Sequence, residues 1–90
     1  PLDFSKVESL RKHMMLTITD LSSVLGVSRM TYHSWRKGQP MRKENDKKMR
    51  VTLRKLLAVM QDKAWPSPDI IVMEPVDRKK RLLEYLEEYH

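Results

Sequence analysis

Ninety residues, 40% of them apolar, suffice for one small domain with a single core and leave no room for a second of comparable size. The absence of cysteine excludes a disulfide framework and a thiolate metal site and fits a reducing cytoplasm; no apolar run approaches the length of a membrane span or a signal-peptide core. The net charge of +6 is unevenly spread, since residues 1–60 carry 13 Lys+Arg against 5 Asp+Glu, a net of +8, while residues 61–90 carry 5 against 7, a net of −2. A chain that starts at Pro1 also fits removal of an initiator methionine.

Near the start, Asp3 or Ser5 can open a first helix, with Ser5 and Glu8 at capping-box spacing and Phe4, Val7, Leu10 and Met14 on its inner face. Thr17 can cap a second, short helix by accepting from a free backbone N–H in the first turn, where Asp20 adds negative charge; Leu21, Val24 and Leu25 share one face. Gly26 follows the last apolar residue, where a helix commonly stops in the left-handed region. Ser28 can cap a third helix with Tyr32 and Trp35 inward and Met30 and Thr31 nearer the edge. Two short helices joined by a tight turn containing Gly are the DNA-reading unit, whose second helix lies in the major groove. Facing outward on that helix are Arg29, Met30, His33, Ser34, Arg36 and Lys37. Arg can bind guanine O6 and N7 bidentately, His and Ser can bond base edges or phosphates, and Met can pack on a thymine methyl.

Residues 16–38, LTITDLSSVLGVSRMTYHSWRKG, resemble the helix-turn-helix of the phage repressor and Cro-like family. Its run is Leu-Thr-x-x-x-Leu-Ala-x-x-Leu-Gly-Val-Ser-x-x-x-Ile-x-x-Trp-x-x-Gly, matched here by Leu16, Thr17, Leu21, Leu25, Gly26, Val27, Ser28, Trp35 and Gly38. Ile18 stands where the family places a phosphate-supporting glutamine, so that contact does not carry over. Ser22 replaces a packed alanine. Tyr32 replaces a branched aliphatic residue, which implies a wider interhelical space or a ring leaning to solvent. The resemblance implies an all-α, lambda-repressor-like bundle, and a chain of this length leaves about four or five helices to share a single core.

After the loop Gly38-Gln39-Pro40, the polar run Met41 to Lys48 enters a long helix reaching about Asp62, with Met49, Leu53, Leu56, Leu57 and Met60 inward and Lys47, Lys48, Arg50, Arg54 and Lys55 opposite. Between Ser28 and Lys55, ten basic residues face only Glu44 and Asp46, an electrostatic footprint suited to phosphates or, in the plainer alternative, a solvated helix face. By resemblance, Arg42, Lys43, Lys47 and Lys48 lie along the DNA backbone.

Composition changes at Trp65-Pro66-Ser67-Pro68, where two prolines end the long helix and begin an extended linker. This divides a DNA-binding domain, 1–64, from a C-terminal extension, 65–90. DIIVME, residues 69–74, reads as a strand that pairs with a second copy or with another part of the chain, or else as an extended arm along the core. Asp77 can cap a last helix to about Tyr89 with Leu82, Leu83, Leu86 and Tyr89 as its stripe. Its basic start and acidic end oppose the helix dipole, which suits an antiparallel copy of the same helix across a twofold axis as well as it suits a docked terminal helix. Ile70, Val72, Leu82, Leu86 and Tyr89 are the dimerisation candidates.

The three histidines have no metal-ligand spacing and no nucleophile or phosphate-loop motif occurs, so neither an enzyme nor a cofactor or metal is expected. His13 reads as a partly buried, satisfied residue and His90 as a loose terminus. The expectation is a cytoplasmic transcriptional regulator, a homodimer on duplex DNA. Arg29, Met30, His33 and Ser34 would read bases. Thr17, Ser28, Arg36, Lys37, Arg42, Lys43, Lys47 and Lys48 would hold phosphates. Repression by promoter occlusion is the simplest outcome, and contact with RNA polymerase another. The alternative class is a protein-interaction module, an antitoxin or an inhibitor of a host nucleic-acid enzyme, acting through the extension.

Overall fold

Four helices in succession end in the same hydrogen-bonded turn, and that repetition sets the architecture. The computed structural model describes residues 2–89, within which the chain is all-helical: α1 (Phe4–His13), α2 (Ile18–Leu25), α3 (Arg29–Arg36), α4 (Lys43–Asp62), α5 (Pro68–Ile71) and α6 (Pro75–Leu86). Pro1 and His90 lie outside the described residues.

At the end of α1, Met15 N–H bonds the Lys12 carbonyl and Leu16 N–H reaches back to Arg11, with Met15 in the left-handed region at φ 61°. The pattern recurs at Gly26 (φ 72°) after α2 and at Gly38 (φ 94°) after α3, and Ala64 (φ 51°) takes the same conformation after α4. Glycine occupies that region at no steric cost, whereas Met15 and Ala64 are held there at about 1 kcal/mol each. The starts are equally local. Asp3 caps α1 by accepting from Ser5 N–H at 3.0 Å, so the alternative start at Ser5 is not used and Glu8 is released for other partners. Thr17 and Asp20 form a complete capping box on α2, and Ser28 caps α3 by accepting from Thr31 N–H.

Val7, Met14, Leu16, Leu21, Leu25, Tyr32, Trp35, Met49, Leu56 and Val59 form one buried core with Trp65, Ile70 and Leu82. α2 packs on α3 and α4, α1 on α3, and α4 on α6. On α4 the inward stripe runs through Met49, Leu56 and Val59; Leu57, expected inside, is displaced to the flank and is half exposed. Tyr32 stays wholly buried, its ring edge-on to Phe4 with centroids 5.1 Å apart.

The greatest departure from expectation lies in 65–75. No strand forms among the described residues: DIIVME contributes its first residues to the short helix α5, and Val72 and Met73 lead directly to α6. Pro68 and Pro75 occupy the first turns of α5 and α6, where a missing N–H costs nothing, so these prolines start helices. Trp65 is not in a linker; it is buried, its Nε1–H donates to the Met14 carbonyl at 2.9 Å, and the Trp65–Pro66 peptide is cis. Asp77 does not cap α6, because Glu74 precedes Pro75 at the N-cap and Asp77 falls within the first turn. Among the described residues no helix is long and apolar enough to cross a membrane.

Candidate nucleic-acid interface

The turn from α2 to α3 occupies Gly26 to Ser28, and the inward pair Tyr32 and Trp35 fixes which side of α3 faces out. Arg29 and Met30 are exposed in the first turn, Met30 to 82%; His33 and Ser34 are half-buried one turn on, and Arg36 and Lys37 are exposed at the end. The sequence-predicted base readers therefore share one helix surface.

Two of the proposed contacts are already committed locally. The Ser28 hydroxyl accepts from Thr31 N–H and donates to Thr31 Oγ1 at 2.9 Å, and the Ser34 hydroxyl donates to the Thr31 carbonyl at 2.7 Å, which leaves Ser34 with acceptor lone pairs only. Thr17 accepts from Asp20 N–H, and among the described residues its hydroxyl proton has no acceptor, which leaves it available to one outside the helix.

Arg36 is held from behind. Its Nε lies 2.9 Å from Glu8 Oε1 on α1, and its Nη1 donates to His33 Nδ1 at 3.3 Å. Glu8 is a hub: Oε2 accepts from Arg11 Nε and from the Tyr32 hydroxyl, each at 2.7 Å, and Oε1 also accepts from Arg11 Nη2 at 3.2 Å. Partial burial opposes ionisation of this carboxyl, but the hydrogen bonds from Arg11 and Tyr32 and the charges of Arg11 and Arg36 outweigh it and bring Glu8 from 4.5 down to about 2. Burial, reinforced by the bond to Glu8, pushes the Tyr32 phenol upward, and Glu8 raises Arg11. The polar ring at position 32 thus tethers α1 to α3. Its partners lie 24 residues apart in the chain, so only the unusual tyrosine itself carried a signal of the hub.

Arg42, Lys43, Lys47 and Lys48 are all exposed around the start of α4. Arg42 and Lys43 sit at the positive end of that helix with no side-chain cap, an arrangement that weakens the helix by a few tenths of a kcal/mol per charge, so local stability does not account for them. Lys48 comes back to the α2–α3 turn: a Cβ added at Gly26 would lie 3.8 Å from its Nζ, beside the carbonyl end of α2. Asp46 is occupied by Arg50 at 2.6 Å.

The dimerisation candidates do not share a surface. Ile70 and Leu82 are 1% and 0% exposed in the core and have no side chain to offer a partner; Leu86 is half-buried against that core. The Tyr89 hydroxyl donates to Asp62 at 2.7 Å, a bond that pushes its phenol up to about 12. Val72 is left exposed, as are Ile71 and Val76. The cluster of basic residues that opens α6 is also divided, since Arg78 turns inward, as described below.

Among the described residues no group of three or more His, Asp or Glu side chains is placed to hold a metal ion. Comparison with protein-family models, curated proteins and solved structures finds no match to this chain.

Proposed function

We propose that this chain is a sequence-specific regulator of transcription that reads duplex DNA with a lambda-repressor-like helix-turn-helix. In this reading α3 enters the major groove, Arg29, Met30, His33 and Ser34 meet base edges, and Arg42, Lys43 and Lys47 lie along phosphates. One observation carries it: the capped pair α2–Gly26–α3 buries Tyr32 and Trp35 and so turns Arg29, Met30 and His33 outward, and the helix that follows begins with exposed basic residues. Phosphate contacts supply affinity and register, base contacts supply the sequence preference. Binding is to two half-sites by a homodimer, and occlusion of a promoter makes the protein a repressor. With Ile70 and Leu82 in the core, the exposed apolar side chains that the extension leaves for the second copy are Ile71, Val72, Val76 and Leu83.

Selection from a randomised duplex library at near-physiological salt tests the reading. An enriched inverted repeat with half-sites about one helical turn apart is the expected outcome, with the preference at one position relaxed in Arg29→Ala. Retention without any enriched motif, falling steeply with salt, would overturn it in favour of non-specific phosphate binding.

A further inference from the structure

Arginine has only hydrogen-bond donors. When Arg36 Nη1 approaches His33 Nδ1 at 3.3 Å, that nitrogen must therefore be the acceptor, and a neutral His33 carries its proton on Nε2. Arg36 is kept there by its ion pair with Glu8, Nε to Oε1 at 2.9 Å, while Arg11 and Tyr32 hydrogen-bond the carboxylate and fix its orientation. The result is a relay from α1 to the outer surface of α3, through groups that individually look like an ion pair and an idle histidine.

We propose that Glu8 is a positioning residue for base readout: by holding Arg36 against Nδ1 it restricts His33 to the Nε2–H form, a pure donor, so that the base facing His33 must present an acceptor. Guanine, adenine and thymine can meet it, through N7 and O6, N7, and O4 respectively, whereas cytosine offers only a donor and is excluded. Without the relay, the imidazole can present either a donor or an acceptor and the distinction is lost. The inference rests on the DNA-reading proposal above, but its first half concerns the protein alone.

Two measurements separate those halves. Long-range proton–nitrogen NMR on the free wild-type protein, at a pH where His33 is neutral, reads the tautomer directly. The Nε2–H form is expected in the wild type and a mixture of the two in Glu8→Ala; an Nδ1–H wild type overturns the relay whether or not any variant folds. Duplex selection with wild type, His33→Ala, Glu8→Ala and Tyr32→Phe then reads the consequence. His33→Ala identifies the position facing residue 33, where the wild type should prefer an acceptor-bearing base over cytosine about tenfold. Glu8→Ala should lose that preference. Tyr32→Phe removes one bond from the hub but leaves the Glu8–Arg36 pair, and should keep it. Cytosine enriched at that position, an unchanged preference in Glu8→Ala, or equal loss in both variants overturns the inference. A wild type that enriches no motif at all overturns the DNA-reading proposal, while the NMR result still stands on the relay.

Discussion

The segment from α1 to α3 and the segment from Trp65 to α6 are held by different means. In the first, each start has a side-chain cap and each of the stops after α2 and α3 has a glycine, so neighbours in sequence satisfy one another's backbone groups. In the second, α5 and α6 start on prolines with no side-chain cap, and their anchors come from far along the chain: Trp65 bonds the Met14 carbonyl, and the buried Arg78 donates to the carbonyls of Ile70, Ile71 and Met73 and, at 3.4 Å, to that of Met15. Local chemistry suffices where the helices are independent. Where a four-residue helix must be turned onto a core, a cation borrowed from the next helix neutralises its carbonyl end.

If that contrast is correct, the largest losses from single anchoring side chains should fall in the second segment. Trp65→Ala should cost the most, about 3–5 kcal/mol in chemical denaturation, through the cavity and the orphaned Met14 carbonyl. A loss near 1 kcal/mol would mean that residues 65–89 dock only loosely. Arg78→Met keeps the stem but leaves the carbonyls after α5 without their donor, with an expected loss of about 2–3 kcal/mol.

The acid limb probes the one long-range polar feature of the first segment. Because the Glu8 carboxyl is lowered on folding from 4.5 to about 2, its contribution is fully present above pH 4.5 and disappears as the pH falls to about 2. Thermal midpoints of the wild type should drop through that window by an amount corresponding to about 2 kcal/mol, and Glu8→Ala should lack this part of the drop. The smallest effect has the opposite sign. Ala64 is exposed and left-handed, so Ala64→Gly should raise stability by about 1 kcal/mol or less, read as a higher denaturation midpoint.

The same contrast explains what could be read from the residues alone. Thr17, Asp20, Gly26 and Ser28 act within four residues of their partners, and each takes the role that its chemistry suggests. The apolar stripe of α1 and the extent of α4 follow from periodicity. The β-branched run Ile70–Val72 suggested a strand because propensity describes a side chain without its surroundings; burial of Ile70 and the carbonyl-binding Arg78 override it. Prolines 68 and 75 are ambiguous in sequence, since the residue that ends one helix is equally suited to begin the next. Met15 and Ala64 carry no turn signal, yet they take the conformation that Gly26 and Gly38 advertise, because Trp65 ties the ends of α1 and α4 together. At the candidate interface, the exposed positions of α3 were legible from helical spacing, but the Glu8 hub depends on residues 24 and more apart. Ser22 is the small misfit, buried with no partner for its hydroxyl among the described residues, at the position where the resembling family has alanine.

The carbonyls of Met14 and Met15, adjacent in the loop that leads into α2, accept from residues 51 and 63 positions further on. Opening of α6 therefore releases the Arg78 bond to the loop before the α2–α3 pair, and the chain's two distant stretches should exchange their amide hydrogens as one cooperative unit. A protease that trims α6 would, by that coupling, loosen the start of α2, far away in the chain, without cutting there.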